Sequence, residues 1–318
     1  MSDKPKSYKK NSYFLTALDP VHVGAGSYRI GLVDNTIIRE PHTNLPKIPG
    51  TSIAGKARAY AALKCDEKQT EEVTKINSRY LNCSGKGGSD GKKHCGKLDC
   101  PVCTAFGFAK GNDKDGSSFK GLASFSDAHL AFFPVHTSMG PVWATCPDLL
   151  GRMGANCEDI DYADIFSFNE GPVTPAGLNL GWRWFKKGSG HTFTVPIVLP
   201  ENIKQLVKQK GVIISNYMFT QVVNDSLEVR TSVAIDPMTG AAETGALYSY
   251  EALPRTTILR FDITVENPVY FRIKEKEIKL SMADIMDNAE SGLKTYLPVL
   301  GIGGMGTRGM GRMKMING

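Results

Sequence analysis

Four cysteines, Cys83, Cys95, Cys100 and Cys103, fall within one short stretch of this chain, and that stretch has few other means of folding. Residues from about 83 to 118 are rich in Gly, Lys, Ser and Asp and show little hydrophobic periodicity, so they read as an insertion that brings little apolar surface to a core. Cys100 and Cys103 stand as CPVC, the spacing at which two thiolates grip one tetrahedral zinc ion. Cys83 and Cys95 can supply the other two ligands, with His94 the substitute if either faces away. Four soft ligands close the coordination shell, which points to a structural Zn2+ site and not a catalytic one. The competing reading is a group of free thiols on a loop. Disulfides explain the crowding less well, because the cysteines number seven and no hydrophobic signal core follows the polar, basic segment Met1–Lys10. A cytoplasmic protein is expected. No apolar run approaches the roughly 20 residues a membrane helix needs, so no membrane partner is expected either.

The remainder reads as globular: 41% of residues are hydrophobic, enough to bury a core in one elaborated domain or two small ones. Ser12 to Leu18 alternates and reads as a first strand, running into the loop PVHVGAG. A short strand is expected around Asn35 to Arg39. Thr51-Ser52, after Pro49-Gly50, can cap a helix to about Lys64. Strands are expected at Leu122 to Phe133, Leu178 to Phe185, Thr192 to Leu199 and Thr256 to Val265, with a short helix between Pro200 and Lys210. Leu227 to Ile235 and Ala246 to Tyr250 flank the turn formers DPMTG, which predicts a protruding hairpin over about 226–252. Apolar residues at 282, 285, 286, 289, 293, 296 and 297 mark one face of a helix. A glycine-rich loop and a last strand at Arg312 to Ile316 follow. This order suits an α+β fold, a β-α-β-β-α-β sheet of the ferredoxin-like kind with helices on one face and large insertions, in a single domain spanning 1–318.

Three features could carry chemistry. The loop GIGGMGTRGMG, Gly301 to Gly311, could turn backbone N–H groups toward an anion, with Arg308 and Arg312 adding charge. A tight turn without a ligand accounts for the same pattern. It is neither a Walker loop, lacking Gly-Lys-Ser/Thr, nor a dinucleotide fingerprint, since its glycines follow a helix. His22 beside Gly24 and Gly26 reads as a turn or core histidine, and Asp34 as a turn former at a strand edge. No Ser-His-Asp order or nucleophile elbow points to another hydrolase class. The net charge of +6 is compatible with a polyanionic partner without requiring one.

Several stretches together resemble the RAMP superfamily of CRISPR-associated proteins, and within it the backbone subunit of the type III-B (Cmr) effector complex. They are HVGAG at His22 to Gly26, GLVDNTIIRE at Gly31 to Glu40, LPKIPGTSIAGKARAY at Leu45 to Tyr60, FSDAHLAFFPV at Phe125 to Val135 with PVWATCPDLL after it, IDPMTG with GALYSYEALP, and the terminal GIGGMGTRGMGR. The resemblance implies a modified RNA-recognition-motif sheet whose copies stack along a guide crRNA beside other type III effector subunits. It implies that His22, Lys56, Arg58, Gly303, Gly304, Arg308 and Arg312 hold the guide. The hairpin around Asp236 to Gly240, with Met238 near its tip, becomes a thumb wedged between guide bases. Asp34, in the family's "VD" motif, becomes the residue that cuts target RNA, either holding Mg2+ or Mn2+ or accepting the 2′-hydroxyl proton. Thr36 departs from the family, which often has proline there. A non-catalytic scaffold, the equivalent subunit of a type III-A (Csm) complex and a stand-alone zinc-bearing RNA-binding protein are the rival readings.

Overall fold

The computed structural model describes residues 6–26, 33–67, 80–85, 94–109, 118–155, 158–168, 171–243, 247–273 and 275–318. Within them the chain is mixed α and β, as expected, with an 11-stranded sheet that combines parallel and antiparallel pairs. Two compact units emerge, each drawn from three chain segments. Met1–Tyr13, Pro49–Ala128 and Phe261–Gly301 form the first; Phe14–Ile48, His129–Arg260 and Ile302–Gly318 form the second. Strands Tyr8–Ala17 and Ile258–Glu266 each contribute residues to both. None of the helices among the described residues is long and apolar enough to cross a membrane.

The first unit is built on two helices. Helix Gly50–Glu67 buries Ile53 and Tyr60 along with the small residues Ala57, Ala61 and Ala62. Small side chains let helix Met282–Leu300 approach closely, and Gly292 sits where it does: a Cβ there would stand 2.6 Å from the Ala61 backbone nitrogen. The second helix follows the expected apolar face, burying Ile285, Met286, Ala289, Leu293 and Leu297, and a Ser281–Asp284 capping box opens it. Thr51-Ser52 does not cap the first helix. Asp127 Oδ1 accepts from Gly50 N at 2.8 Å instead, and a Cβ on Gly50 would lie 2.4 Å from Phe125 O. Asp127 also falls at the break in the single strand expected over 122–133, which is two strands, Ala123–Phe125 and Ala128–Val135.

The second unit holds most of the sheet. Its strand order is Met313–Asn317, Tyr8–Ala17, Ile258–Glu266, Ala128–Val135, Val142–Thr145, Gly211–Ile214, Asp164–Ser167, Arg183–Lys187 and Leu178–Leu180. Val142–Thr145 and Gly211–Ile214 are buried at every residue, the mark of a strand covered on both faces. Phe14, Phe132, Phe168 and Ile213 pack there with Ile203 and Val207 of helix Glu201–Lys210.

Three expectations change in this unit. Thr192 to Leu199 is no strand: Pro196 and Pro200 remove ladder donors, and Phe193 and Leu199 reach the core from irregular chain. Leu178 to Phe185 is a hairpin that turns at Gly181, whose φ is 57°. Asn35 to Arg39 makes separate bridges, Asn35 to Tyr250, Ile37 to Gly24 and Arg39 to Pro46, in place of a strand. The expected hairpin is present as Glu228–Ser232 paired with Tyr248–Ala252, in register from Glu228↔Ala252 to Ser232↔Tyr248. Residues 244–246 of that hairpin, 86–93 and 110–117 of the cysteine-bearing insertion, and Gly31 and Leu32 beside Asp34 lie outside the described residues.

Candidate functional site

In the first unit the four cysteine Sγ atoms lie within 4.8 Å of one another, with Cys95 and Cys103 3.8 Å apart. A tetrahedral zinc ion with Zn–S bonds of about 2.3 Å sets its sulfurs about 3.8 Å apart, so this spacing suits that ion. Local structure produces the cluster. Cys100 is the N-cap of helix Pro101–Phe106, its Sγ accepting from Cys103 N at 3.4 Å, and Pro101 fits the first turn because it has no N–H to satisfy. Cys83 Sγ accepts from Cys95 N at 3.4 Å. Hydrogen bonds from Cys100 and Cys103 hold Cys95 far below the ordinary thiol range and bring Cys83 down to about 7, while the crowded sulfurs and burial push Cys100 and Cys103 up, so all four become thiolates together only around a cation. Thiolates are the form in which cysteine ligates a metal.

All four cysteines converge, so His94 is not needed as a ligand; its Nδ1 lies 3.4 Å from Arg58 Nη2. The Arg58 guanidinium turns inward and donates to the carbonyls of Cys83 at 2.8 Å, Gly107 at 2.9 Å and Phe106 at 3.4 Å. A side chain so engaged braces the cysteine segment. Lys56, two residues earlier, holds its Nζ 5.5 Å from the centre of the Tyr60 ring.

In the second unit the glycine-rich loop folds onto the residues around His22. Gly304 N donates to His22 O at 2.8 Å and Gly311 N to Pro20 O at 2.9 Å. Gly303 takes a φ of 88°, and a Cβ on it would come within 2.3 Å of His22 O, so only glycine fits. Gly303, Gly304 and residues 306–309 are exposed. His22 is buried, with Nδ1 2.6 Å from Glu251 O, and supports the loop through its backbone carbonyl. Arg312 forms a fork on Asp19, Nε to Oδ2 at 2.5 Å and Nη2 to Oδ1 at 2.9 Å, and this holds the Asp19 carboxyl below its usual range. Arg308 is exposed, its guanidinium 5.7 Å from the centre of the Tyr248 ring and donating to the Tyr248 hydroxyl.

Asp34 stands exposed beside the root of the hairpin. Its Oδ2 accepts from Ser249 N at 2.7 Å and from Ser249 Oγ at 2.9 Å, and these donors, the backbone one first, hold its carboxyl below the usual range. At the far end of the hairpin the Asp236 carboxylate folds the turn, accepting from Met238 N at 2.8 Å and Thr239 Oγ1 at 2.9 Å. Met238 is 91% exposed, and Val229, Val233, Ile235 and Leu247 are also exposed apolar residues of this arm. Exposed apolar side chains on one projecting arm make it a candidate contact surface.

Sequence reasoning missed Ser249 and the network below it. Glu251 Oε2 accepts from Arg39 Nη2 at 2.9 Å and from Ile37 N at 3.3 Å, while Arg39 Nε donates to Asn224 Oδ1 at 3.1 Å. These partners lie some two hundred residues apart in sequence, which spacing rules cannot connect; the alternation Tyr248-Ser249-Tyr250 was the one usable signal.

Comparison with known proteins places this geometry. A family model described as the RAMP superfamily matches residues 14–314. The endoribonuclease Cmr4 of the CRISPR system Cmr from Pyrococcus furiosus is 26% identical over 86% of this chain and 85% of its own length. Two solved structures share the fold. One, a type III-B Cmr-beta complex bound to cognate target RNA, aligns over 98% of each chain with a TM-score of 0.62 and 16% identity. The other, oligomeric Cmr4 from Pyrococcus furiosus, covers 98% of this chain and 99% of that one with a TM-score of 0.59 and 19% identity.

Proposed function

Because the chain belongs to the RAMP superfamily, we propose that it is the repeated backbone subunit of a cytoplasmic type III-B CRISPR effector complex, one that binds guide RNA and cuts target RNA. The observation that carries this reading is Asp34: in a chain that the family model matches over residues 14–314, an exposed carboxylate pinned at one oxygen stands at the root of a hairpin with exposed apolar side chains. We read the sheet as a modified RNA-recognition motif and the hairpin as the thumb, with Met238 and its apolar neighbours wedging between bases. The exposed glycine backbone, Arg308 and Lys56 would hold guide phosphates, and Arg312, forked on Asp19, would set the edge of that surface. Other copies of the chain and other effector subunits would be its partners.

The cleavage chemistry follows from geometry. RNA can be cut by its own 2′-hydroxyl when that oxygen lies in line with the leaving group, and a wedge that splays a nucleotide would set this line. Both Ser249 bonds fall on Oδ2, which leaves Oδ1 for the target strand, where it could accept the 2′-hydroxyl proton. A single exposed carboxylate also fits a hydrated Mg2+ or Mn2+ ion, since such ions bind through one or two carboxylates and keep several waters. When bound, the ion would offset charge developing on the phosphate. The Cys83–Cys95–Cys100–Cys103 cluster would hold Zn2+ and stabilise its own segment.

Asp34→Asn tests the reading in the assembled complex. The change keeps size and one acceptor oxygen but removes the charge. Guide and target binding should survive while cleavage falls by about 10²–10⁴-fold, the loss typical of a general base. EDTA should stop cleavage by the unmodified complex and spare target binding. An Asp34→Asn complex that cuts at the normal rate would leave only the scaffold.

A further inference from the structure

Strand Tyr248–Ala252 uses its alternate side chains for different neighbours, as the pleat of a strand allows. Tyr248 and Tyr250 face the glycine-rich loop: Tyr248 meets Arg308 by ring and hydroxyl, and Tyr250 packs with Met310. Ser249 and Glu251, between and beyond them, serve the segment that carries Asp34. Ser249 supplies two donors to Asp34 Oδ2, and its carbonyl accepts from Asn35 N at 3.0 Å. Glu251 N donates to Asn35 O at 2.9 Å, and its carboxylate takes the Ile37 N–H and Arg39. The backbone of 34–37 is thus laid along the strand from one side, while two tyrosines fix the strand's register from the other.

An exposed aspartate ordinarily samples several rotamers. Asp34 does not have that freedom, because Oδ2 is tied to a backbone N–H and a hydroxyl of one residue. We propose that Ser249 is a positioning residue for Asp34, clamping one carboxylate oxygen so that the other is presented to the target strand. The proposal rests on Asp34 being the cleaving group. It assigns the root of the hairpin a task separate from wedging bases: a copy whose hairpin is seated also has its carboxylate aimed. Misplacing a reacting group by about 1 Å can cost on the order of 10²-fold, so a clamp of this kind matters even though it never touches substrate.

Single-turnover cleavage by the assembled, guide-loaded complex decides it. Ser249→Ala removes the hydroxyl, which donates to Oδ2 and also accepts from Asp34 N at 3.1 Å, and keeps the backbone donor. Cleavage of bound target should slow about tenfold, the effect of losing the charged hydrogen bond together with that backbone contact, with target Kd and complex assembly unchanged. Ser249→Thr keeps the hydroxyl on a β-branched side chain that suits a strand, and should restore the rate. A role confined to holding the hairpin's shape predicts something else: weaker target binding in step with slower cleavage, and no selective rescue by Thr. That pattern overturns the proposal. Ser249→Ala cutting at the normal rate while Asp34→Asn is inactive also overturns it and leaves the reading of the site intact. Normal cleavage by Asp34→Asn removes the reading and this inference with it.

Discussion

In the first unit four sulfurs face one another around a common centre, three of them buried, with Arg58 bracing the surrounding carbonyls. In the second, Asp34 stands in solvent and is tied on one oxygen to Ser249, 215 residues away. The first arrangement satisfies its polar groups among neighbours within a short stretch of chain. The second leaves an open surface: one carboxylate oxygen, an exposed glycine backbone, Arg308 and the apolar hairpin residues. A site that completes itself is built for stability, and one left incomplete is built to be completed by a partner. Variants in the two regions should therefore fail differently, the first by loss of fold and the second by loss of activity in a folded protein.

The largest effect is expected at the cysteines. Structural zinc contributes apparent binding free energies of about 10–16 kcal/mol in small zinc modules. Changing Cys100 and Cys103 together to Ser should abolish bound zinc, otherwise about one per chain, and should open residues 80–85 and 94–109 to hydrogen exchange. Metal analysis of fresh protein checks the first point, and exchange mass spectrometry the second. Protein that carries no zinc yet protects this segment fully would break the comparison, because the cluster would then be a group of thiols held by packing alone.

A smaller effect is expected in the glycine-rich loop. Gly303→Ala forces a side chain into φ 88° and against His22 O, which should cost about 1–3 kcal/mol and disturb the exposed backbone beside it. Gly306→Ala, with nothing within 4 Å of the added Cβ, should stay within about 0.5 kcal/mol. Thermal unfolding and guide affinity of the pair separate a loop whose shape is required from one that is merely glycine-rich. Equal behaviour of the two would remove the argument for a built backbone cradle.

How legible each region was in the sequence follows from the same contrast. The four clustered cysteines lie within 21 positions, and CPVC states half of the cluster outright, so spacing sufficed; what it could not state was that all four sulfurs converge and that Arg58 braces their segment. The helix Met282–Leu300 was legible because its apolar period is long and its cap is local. Val142–Thr145 and Gly211–Ile214 were not, because a strand of four buried residues shows no period. Asp34 reached attention only through the family resemblance, since its partner Ser249 lies 215 residues away in the chain. His22 and Arg58 turn inward, which their motifs could not state: a basic side chain in a suggestive motif says nothing about which way it points.

The smallest effect, and the most discriminating, separates two arginines whose sequence settings look alike. Removing one phosphate-neutralising side chain from a single-stranded RNA complex should lower the slope of log K against log salt by about 0.7. Arg308 is exposed on the loop and, among the described residues, is held by Tyr248, so Arg308→Ala should lower the slope by about that amount at every guide sequence, with little change in thermal stability. Lys56→Ala should do the same if its Nζ leaves the Tyr60 ring for a phosphate. Arg58→Ala should leave the slope unchanged. It removes the donors to Cys83, Gly107 and Phe106, so its effect should emerge as faster zinc loss to a chelator and weaker protection of the cysteine segment. A reduced slope for Arg58→Ala with normal zinc retention would show that the guanidinium leaves its carbonyls for RNA, and the division between an inward-facing and an outward-facing region would have to be redrawn along this helix.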